Sequence, residues 1–173
     1  NNVHDTTAWL LETAGSPHHA AYGLAVTENC DDERLAAALR IPVAEVSLRR
    51  HRPIGDTGLV DFFGAAVPTT DLILRRRRFC PQPPHALPFQ RAIWEHGLLP
   101  FCSHSGVFLV SDCSTCGKVL GWIGAKGMAV CENCGAQIKA SECDAIGAKA
   151  MARTATVTAI LDPDPAVHRP AVR

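Results

Sequence analysis

Two Cys-x2-Cys pairs late in the chain, helix punctuation through its first half and a change of grammar after an arginine run predict a small, metal-stabilised α+β fold. The predicted order is a short-helix, helix-turn-helix-like region over 1–70, a metal-knuckle region with short β-hairpins over 71–140, and a C-terminal helix and tail over 141–173. A length of 173 residues accommodates one ordinary domain or two small ones.

The first 65 residues read as short helices. Asp5, Thr6 and Thr7 form an N-cap cluster ahead of Ala8, Trp9, Leu10 and Leu11, and Gly15-Ser16-Pro17 stops that helix. A second helix runs from 17 to about 27. Asp31 or Asp32 caps a third, with Leu35, Ala36 and Leu39 on one face. It ends at Arg40-Ile41, because the Pro42 ring crowds helical geometry at the residue before it. Pro42 in turn suits the first turn of a fourth helix, VAEVSLRR. LAAALRIPVAEVSLRR therefore has the outline of a helix-turn-helix, which DNA recognition and plain helical packing share.

Beyond Arg78 the signals change. Residues 79–88 are proline-rich and irregular. VFLV at 107–110, KVLGWI at 118–123 and MAV at 128–130 are short β-prone runs separated by glycine-containing turns. Ser141 with Asp144 three residues on reads as a variant capping box, opening a helix toward about residue 160. The tail DPDPAVHRPAVR reads as frayed or as a linker.

Composition narrows the function classes. Apolar residues make up 47% and charged residues 20%, which suits a folded chain and not a disordered one. Seventeen basic and seventeen acidic residues cancel, excluding a histone-like polycation. The charges are nonetheless segregated: residues 1–33 hold six carboxylates and no Lys or Arg, whereas 34–79 hold nine arginines against four carboxylates. Arg49, Arg50, Arg52 and the run Arg75, Arg76, Arg77, Arg78 are thus candidates for contact with nucleic acid or an acidic partner. The alternative for both groups is a solvated or ion-paired stretch. No apolar run reaches the roughly 18 residues of a membrane span, and NNVHDTTAW lacks signal-peptide grammar and an initiator Met. The expectation is a cytoplasmic chain, trimmed or excised from a longer one, that contacts no membrane and no small-molecule substrate.

Four of the eight cysteines fall as Cys113-x2-Cys116 and Cys131-x2-Cys134, and Cys30, Cys80, Cys102 and Cys143 stand alone. In a reducing compartment, paired CxxC units bind metal more often than one another. CSTCG at 113–117 and CENCG at 131–135 are near copies, each with a glycine where a knuckle turns with positive φ. Two such knuckles joined by a hairpin turn at Gly124-Ala125-Lys126-Gly127, with Trp122 as a packing residue, make a zinc ribbon. Redox dithiols are the competing reading, but a redox CxxC usually occurs once. A closed four-cysteine site leaves no open coordination position, so this zinc is structural. Cys80, Cys102, His104 and His85 offer a second set of four ligands, with shifted backbone geometry; the alternative is two buried thiols and two surface histidines.

The stretch RRRRFCPQPPHALPFQRAIWEHGLLPFCSHSGVFLVSDCSTCGKVL resembles the core of the TniQ family, the target-site-selection proteins of bacterial transposons. The family segment runs, loosely, Arg-aromatic-Cys-Pro-x-Cys, Arg-x-x-Trp, Cys-x-x-His-Gly, a short apolar strand and Cys-x-x-Cys-Gly. Arg78, Phe79, Cys80 and Pro81 match its opening, and Arg91 and Trp94 fall at its Arg and Trp. Cys102 and Gly106 bracket the next knuckle, and Cys113 with Cys116 opens the following zinc site. The match spans roughly residues 75–135. Pro83 stands where the family has a cysteine and Ser105 where it has a histidine, so the first site is degenerate or rebuilt with His104 one position early.

The resemblance implies an adaptor without catalytic chemistry. Such an adaptor links a target-recognition element, either a DNA site or an RNA-guided complex, to an AAA+ ATPase that recruits the transposase. No GxxxxGK[ST] loop, GxSxG or HExxH occurs in the chain, and its carboxylates are scattered, so no enzyme is expected. The runner-up is a zinc-ribbon, helix-turn-helix transcriptional regulator unrelated to transposition.

Overall fold

The computed structural model describes residues 12, 13, 15, 30–83, 86, 89–139, 145 and 147–161. The helices expected before residue 28 (Glu12 and Thr13, both helical, excepted), the Ser141–Asp144 capping pair, His85 and the C-terminal tail lie outside them. The chain divides into two compact units, Asn1–Thr70 and Asp71–Arg173.

In the first unit, helix α1 spans Asp32–Leu39. The Asp31 carboxylate caps it by accepting the amides of Glu33 and Arg34 at 3.1 and 3.0 Å. Arg40 ends the helix in the left-handed conformation, φ 56°, and its amide donates back to Ala36 and Ala37. Helix α2, Val43–Ser47, follows Pro42. The two helices close over a small core of Cys30, Leu35, Ala36 and Val46.

The same unit corrects the all-helical expectation for its second half. Strands β1, Leu59–Phe62, and β2, Ala65–Pro68, pair antiparallel with Phe62 opposite Ala65. Phe63 and Gly64 form the two-residue turn, both with positive φ (53° and 93°), a geometry whose twist matches that of the flanking strands. Glycine adopts it freely. Phe63 is held there by ring packing, 5.1 Å from Phe62 and 5.3 Å from the buried His51. Along β1, Val60 and Phe62 are buried and Asp61 between them is exposed, the alternation of a half-buried strand.

The basic segment is largely neutralised from within. Asp32 accepts from the Ser47 hydroxyl at 2.9 Å and pairs with both Arg50 and Arg52. Arg49 pairs with Glu45, and Arg34 with Asp31. Burial pulls the Asp32 carboxyl upward, but hydrogen bonds from Arg50 and Ser47 and the charges of Arg50 and Arg52 outweigh it and hold it below its ordinary 3.8. This stabilisation is complete above that value and is lost as pH falls through the lowered one. Asp32→Asn strands the buried Arg50 guanidinium; it is expected to destabilise this unit by about 3 kcal/mol in urea unfolding at pH 7 and to flatten the acid limb of its stability.

The second unit has little regular structure. Among its described residues, short extended segments meet in isolated bridges: Phe79 with Val110, Phe101 with Phe108, Asp112 with Val119, and Val130 with Gln137. The 3-10 turn Ala92–Glu95 buries Ile93 and Trp94, and Phe79, Leu99, Phe101, Val107 and Leu120 are buried in the same unit. Helix α3 spans Ala148–Leu161, and before it Ala145 pairs with Val107 in an isolated bridge. No described helix is long and apolar enough to cross a membrane.

Candidate metal centre

Each CxxCG segment folds on itself by one repeated set of backbone bonds. The amide of Gly117 donates to Cys113 at 2.8 Å, that of Cys113 to Lys118 at 2.9 Å, and that of Leu120 to Ser111 at 2.8 Å. Eighteen positions on, Gly135 donates to Cys131, Cys131 to Ala136 and Ile138 to Ala129, at 2.9, 3.0 and 2.8 Å. Gly117 and Gly135 take φ of 67° and 74°, which let the chain curl around the sulfurs. The β-prone runs therefore pair differently from the expected hairpin across residues 124–127. Residue 119 returns to 112, and 137 to 130, so each knuckle is itself the turn of its own hairpin.

The two knuckles face one another. The ligand atoms of Cys113, Cys116, Cys131 and Cys134 all lie within 4.8 Å of one another. Sγ of Cys113 is 3.7 Å from that of Cys134, and Cys116 is likewise 3.7 Å from Cys131. A tetrahedron of sulfurs about 2.3 Å from a central zinc has edges of about 3.8 Å, so this arrangement fits an ion such as zinc held by four thiolates. The described cysteines are all free thiols. Cys113 and Cys131 are buried, whereas Cys116 and Cys134 reach solvent. Amides of Cys134 and Asn133 donate to Cys131 and bring its thiol down to about 6, and those of Cys116 and Thr115 lower Cys113 in the same way. At Cys134 the Ala136 amide also lowers, but burial and the three neighbouring thiols prevail and push it up to about 12. A cation is what such a crowd of sulfurs requires to ionise together.

Arg77, fully buried, ties the first part of the unit to the second knuckle. Its guanidinium donates to the carbonyls of Met128 (3.1 Å), Gly121 (2.7 Å) and Val130 (2.6 Å) and pairs with Glu132 at 3.1 Å. Glu132, inside the second knuckle, also accepts the Gly121 amide. Arg78 turns the opposite way and donates to the carbonyls of Trp94, His96 and Leu99 at 2.8, 3.1 and 2.9 Å. Burial brings its guanidinium down to about 10. The reading of Arg77 and Arg78 as polyanion contacts is therefore corrected: the run passes between two loops whose carbonyls need donors. Arg75 and Arg76 remain exposed.

A third knuckle shares the geometry and lacks the ligands. Gly106 (φ 69°) donates to Cys102, Cys102 to Val107 and Leu109 to Pro100, all at 2.8 Å, repeating the register of the other two. Ser105 stands at the position of the second cysteine, and its hydroxyl lies 3.3 Å from Sγ of Cys80. Cys80 and Cys102 are fully buried, and burial pushes the Cys80 thiol up. Of the second ligand set, Cys80 and Cys102 lie side by side, and His104 is the described member that does not join them. His104 is exposed, with Nδ1 3.1 Å from the Arg91 guanidinium and 3.2 Å from the Ser103 hydroxyl, and His85 is outside the described residues. Among the described residues, the four cysteines above are the one group of metal-type side chains brought together. Cys80→Ser and His104→Ala are each expected to leave the metal content by native mass spectrometry unchanged, whereas Cys113→Ser abolishes it.

Glu132 and Gly121 are not singled out by the sequence pattern, whereas Ser105 is noted there only as a replaced ligand. Ser105 carries a usable signal, because Cys102-x2-Ser105-Gly106 keeps the CxxCG spacing with one sulfur exchanged for oxygen. Trp122, expected as a packing residue, is 36% exposed, and its indole N–H donates to the Leu74 carbonyl at 3.2 Å. No protein-family model, curated protein or solved structure matches the chain.

Proposed function

We propose that the chain is a non-catalytic adaptor of DNA transposition, built on a structural zinc ribbon. It would join a target-recognition element, a DNA site or an RNA-guided complex, to an AAA+ ATPase regulator. One observation supports this reading most. The residues that carry the TniQ resemblance have interlocking structural roles in the Asp71–Arg173 unit. Arg78 donates to the carbonyl of Trp94, Phe79 and Trp94 are buried, Cys80 meets Ser105 of the third knuckle, and Gly106 turns that knuckle. The shared spacing thus corresponds to one arrangement of knuckles around one core, and short matching words scattered over a chain would have no such reason to interlock.

The regulator reading has weaker support. Helix α2 has five residues, about 7.5 Å at 1.5 Å per residue, and the arginines that follow it are engaged by Glu45 and Asp32. The test is co-elution of the purified, zinc-loaded chain with an AAA+ ATPase transposition regulator from the same genome, with and without ATP and DNA. Association that is lost on Cys113→Ser is the expected result. No association, together with tight, steeply salt-dependent binding of the chain alone to one duplex sequence, would overturn the proposal in favour of the regulator.

A further inference from the structure

We propose that the surface formed by Arg75, Arg76, Trp122, Ile123 and Lys126 binds single-stranded nucleic acid, with bases stacked on Trp122 and phosphates held by the three cations. This goes beyond the adaptor role and rests only on the ribbon fold beneath it.

The placement follows from two attachments. The Leu74 carbonyl accepts the Trp122 indole N–H at 3.2 Å, and the Arg77 amide donates to Leu120 at 2.8 Å. Arg75 and Arg76 are the two residues between these points, so the backbone holds them alongside residues 120–122. Both are exposed, and among the described residues neither makes a hydrogen bond or ion pair. The chain then turns tightly, Ala125 donating to the Trp122 carbonyl at 3.3 Å, and presents Lys126, also exposed and likewise without such a bond. Glu132 is the carboxylate at the base of this surface, and Arg77 neutralises it. Among the described residues, Arg75, Arg76 and Lys126 thus carry three positive charges that form no ion pair. In unit Asn1–Thr70, by contrast, Arg34, Arg49, Arg50 and Arg52 all have carboxylate partners.

The aromatic component selects the partner. Trp122 is 36% exposed and Ile123 57%, next to one another. Its indole N–H is already used internally, so what the ring offers a ligand is apolar contact and not a donor. A duplex offers phosphates but keeps its base faces stacked. A single strand offers both, and base–aromatic stacking together with a cationic track is how such strands are held without sequence preference. An acidic peptide would use the cations and leave the ring face uncovered.

The experiment is fluorescence anisotropy of labelled dT20 with the full, metal-loaded chain, titrated across salt. Arg75→Ala/Arg76→Ala is expected to weaken binding at least tenfold and to flatten the log–log salt slope by about 1.4, at about 0.7 per phosphate contact on a single strand. Trp122→Ala is expected to weaken it about tenfold, and Trp122→Phe, which keeps a stacking face, to restore most of the loss. Lys139→Ala, outside the surface, should change neither value. Undiminished metal content in each variant keeps a damaged ribbon from passing for lost contacts. Absence of dT20 binding, binding indifferent to Arg75, Arg76 and Trp122, or equal displacement by polyglutamate would each overturn the proposal. If the proposal is overturned in one of these ways, ATPase co-elution that survives Trp122→Ala keeps the adaptor reading standing on its own.

Discussion

Removing the metal, by chelation at neutral pH or by Cys131→Ser, is expected to unfold the paired knuckles outright. Two turns of five residues, with no regular strand or helix between them, bury too little apolar surface to stay closed around four thiols. Small zinc modules of this kind are unfolded without their ion, because binding free energy is folding free energy. The amides of Cys113, Leu120, Cys131 and Ile138, each bonded across a knuckle, should lose hydrogen-exchange protection together. Elemental analysis should give one zinc per chain beforehand and none afterwards. An apo chain with unchanged protection at those four amides would mean the sulfur cluster is incidental. Acidification should act as chelation does, since protonated thiols do not bind zinc. Solvent access to Cys116 and Cys134 makes them the entry point for chelator and acid alike.

The second large effect is expected at Arg77. Replacing it with Met removes the donor from the carbonyls of Met128, Gly121 and Val130 and leaves Glu132 unpaired in a largely buried position. Breaking a buried pair from one side costs about 3–5 kcal/mol, a large share of the stability of a small domain. Arg77→Lys should recover little, because an ammonium cannot span three carbonyls and a carboxylate as the planar guanidinium does. Urea unfolding of the zinc-loaded protein reads both variants, and a loss below about 1 kcal/mol for Arg77→Met would mean the surrounding carbonyls find other donors. Glu132→Gln tests the other half. Burial pulls the Glu132 carboxyl upward, but the Gly121 amide, its own amide and Arg77 together hold it below its ordinary 4.5. Its stabilisation is therefore full above that value and lost as pH falls through the lowered one, so the Gln variant should show a shallower acid dependence.

The four-cysteine cluster is legible in the sequence because everything it needs is local. A CxxCG word carries both ligands, the amides that point at them and the glycine that closes the turn, and two such words specify a partner for each other. The cap at Asp31 and the break at Arg40-Ile41-Pro42 are legible for the same reason, since each depends on neighbours within a few residues. The β1–β2 hairpin is not, and there that locality fails. Its turn is Phe63-Gly64, and phenylalanine does not announce a left-handed conformation; ring packing on Phe62 and His51 supports it.

The arginines mark the boundary between the two kinds of information. As a sequence, Arg75, Arg76, Arg77 and Arg78 are four equal cations in a row. Folding makes them three different things: a brace, a plug and an exposed pair. Arg77 finds its acceptors 44 to 55 positions away, and Arg78 finds its own 16 to 21 positions away on the opposite side. No window around residues 75–78 contains those carbonyls. Which side chains can ligate a metal, and how each knuckle turns, are short-range matters of spacing and backbone freedom, so the order of residues is enough to specify them. Which charges are buried and which face water depends on where distant backbone acceptors come to rest, and that is set only when the whole chain has packed.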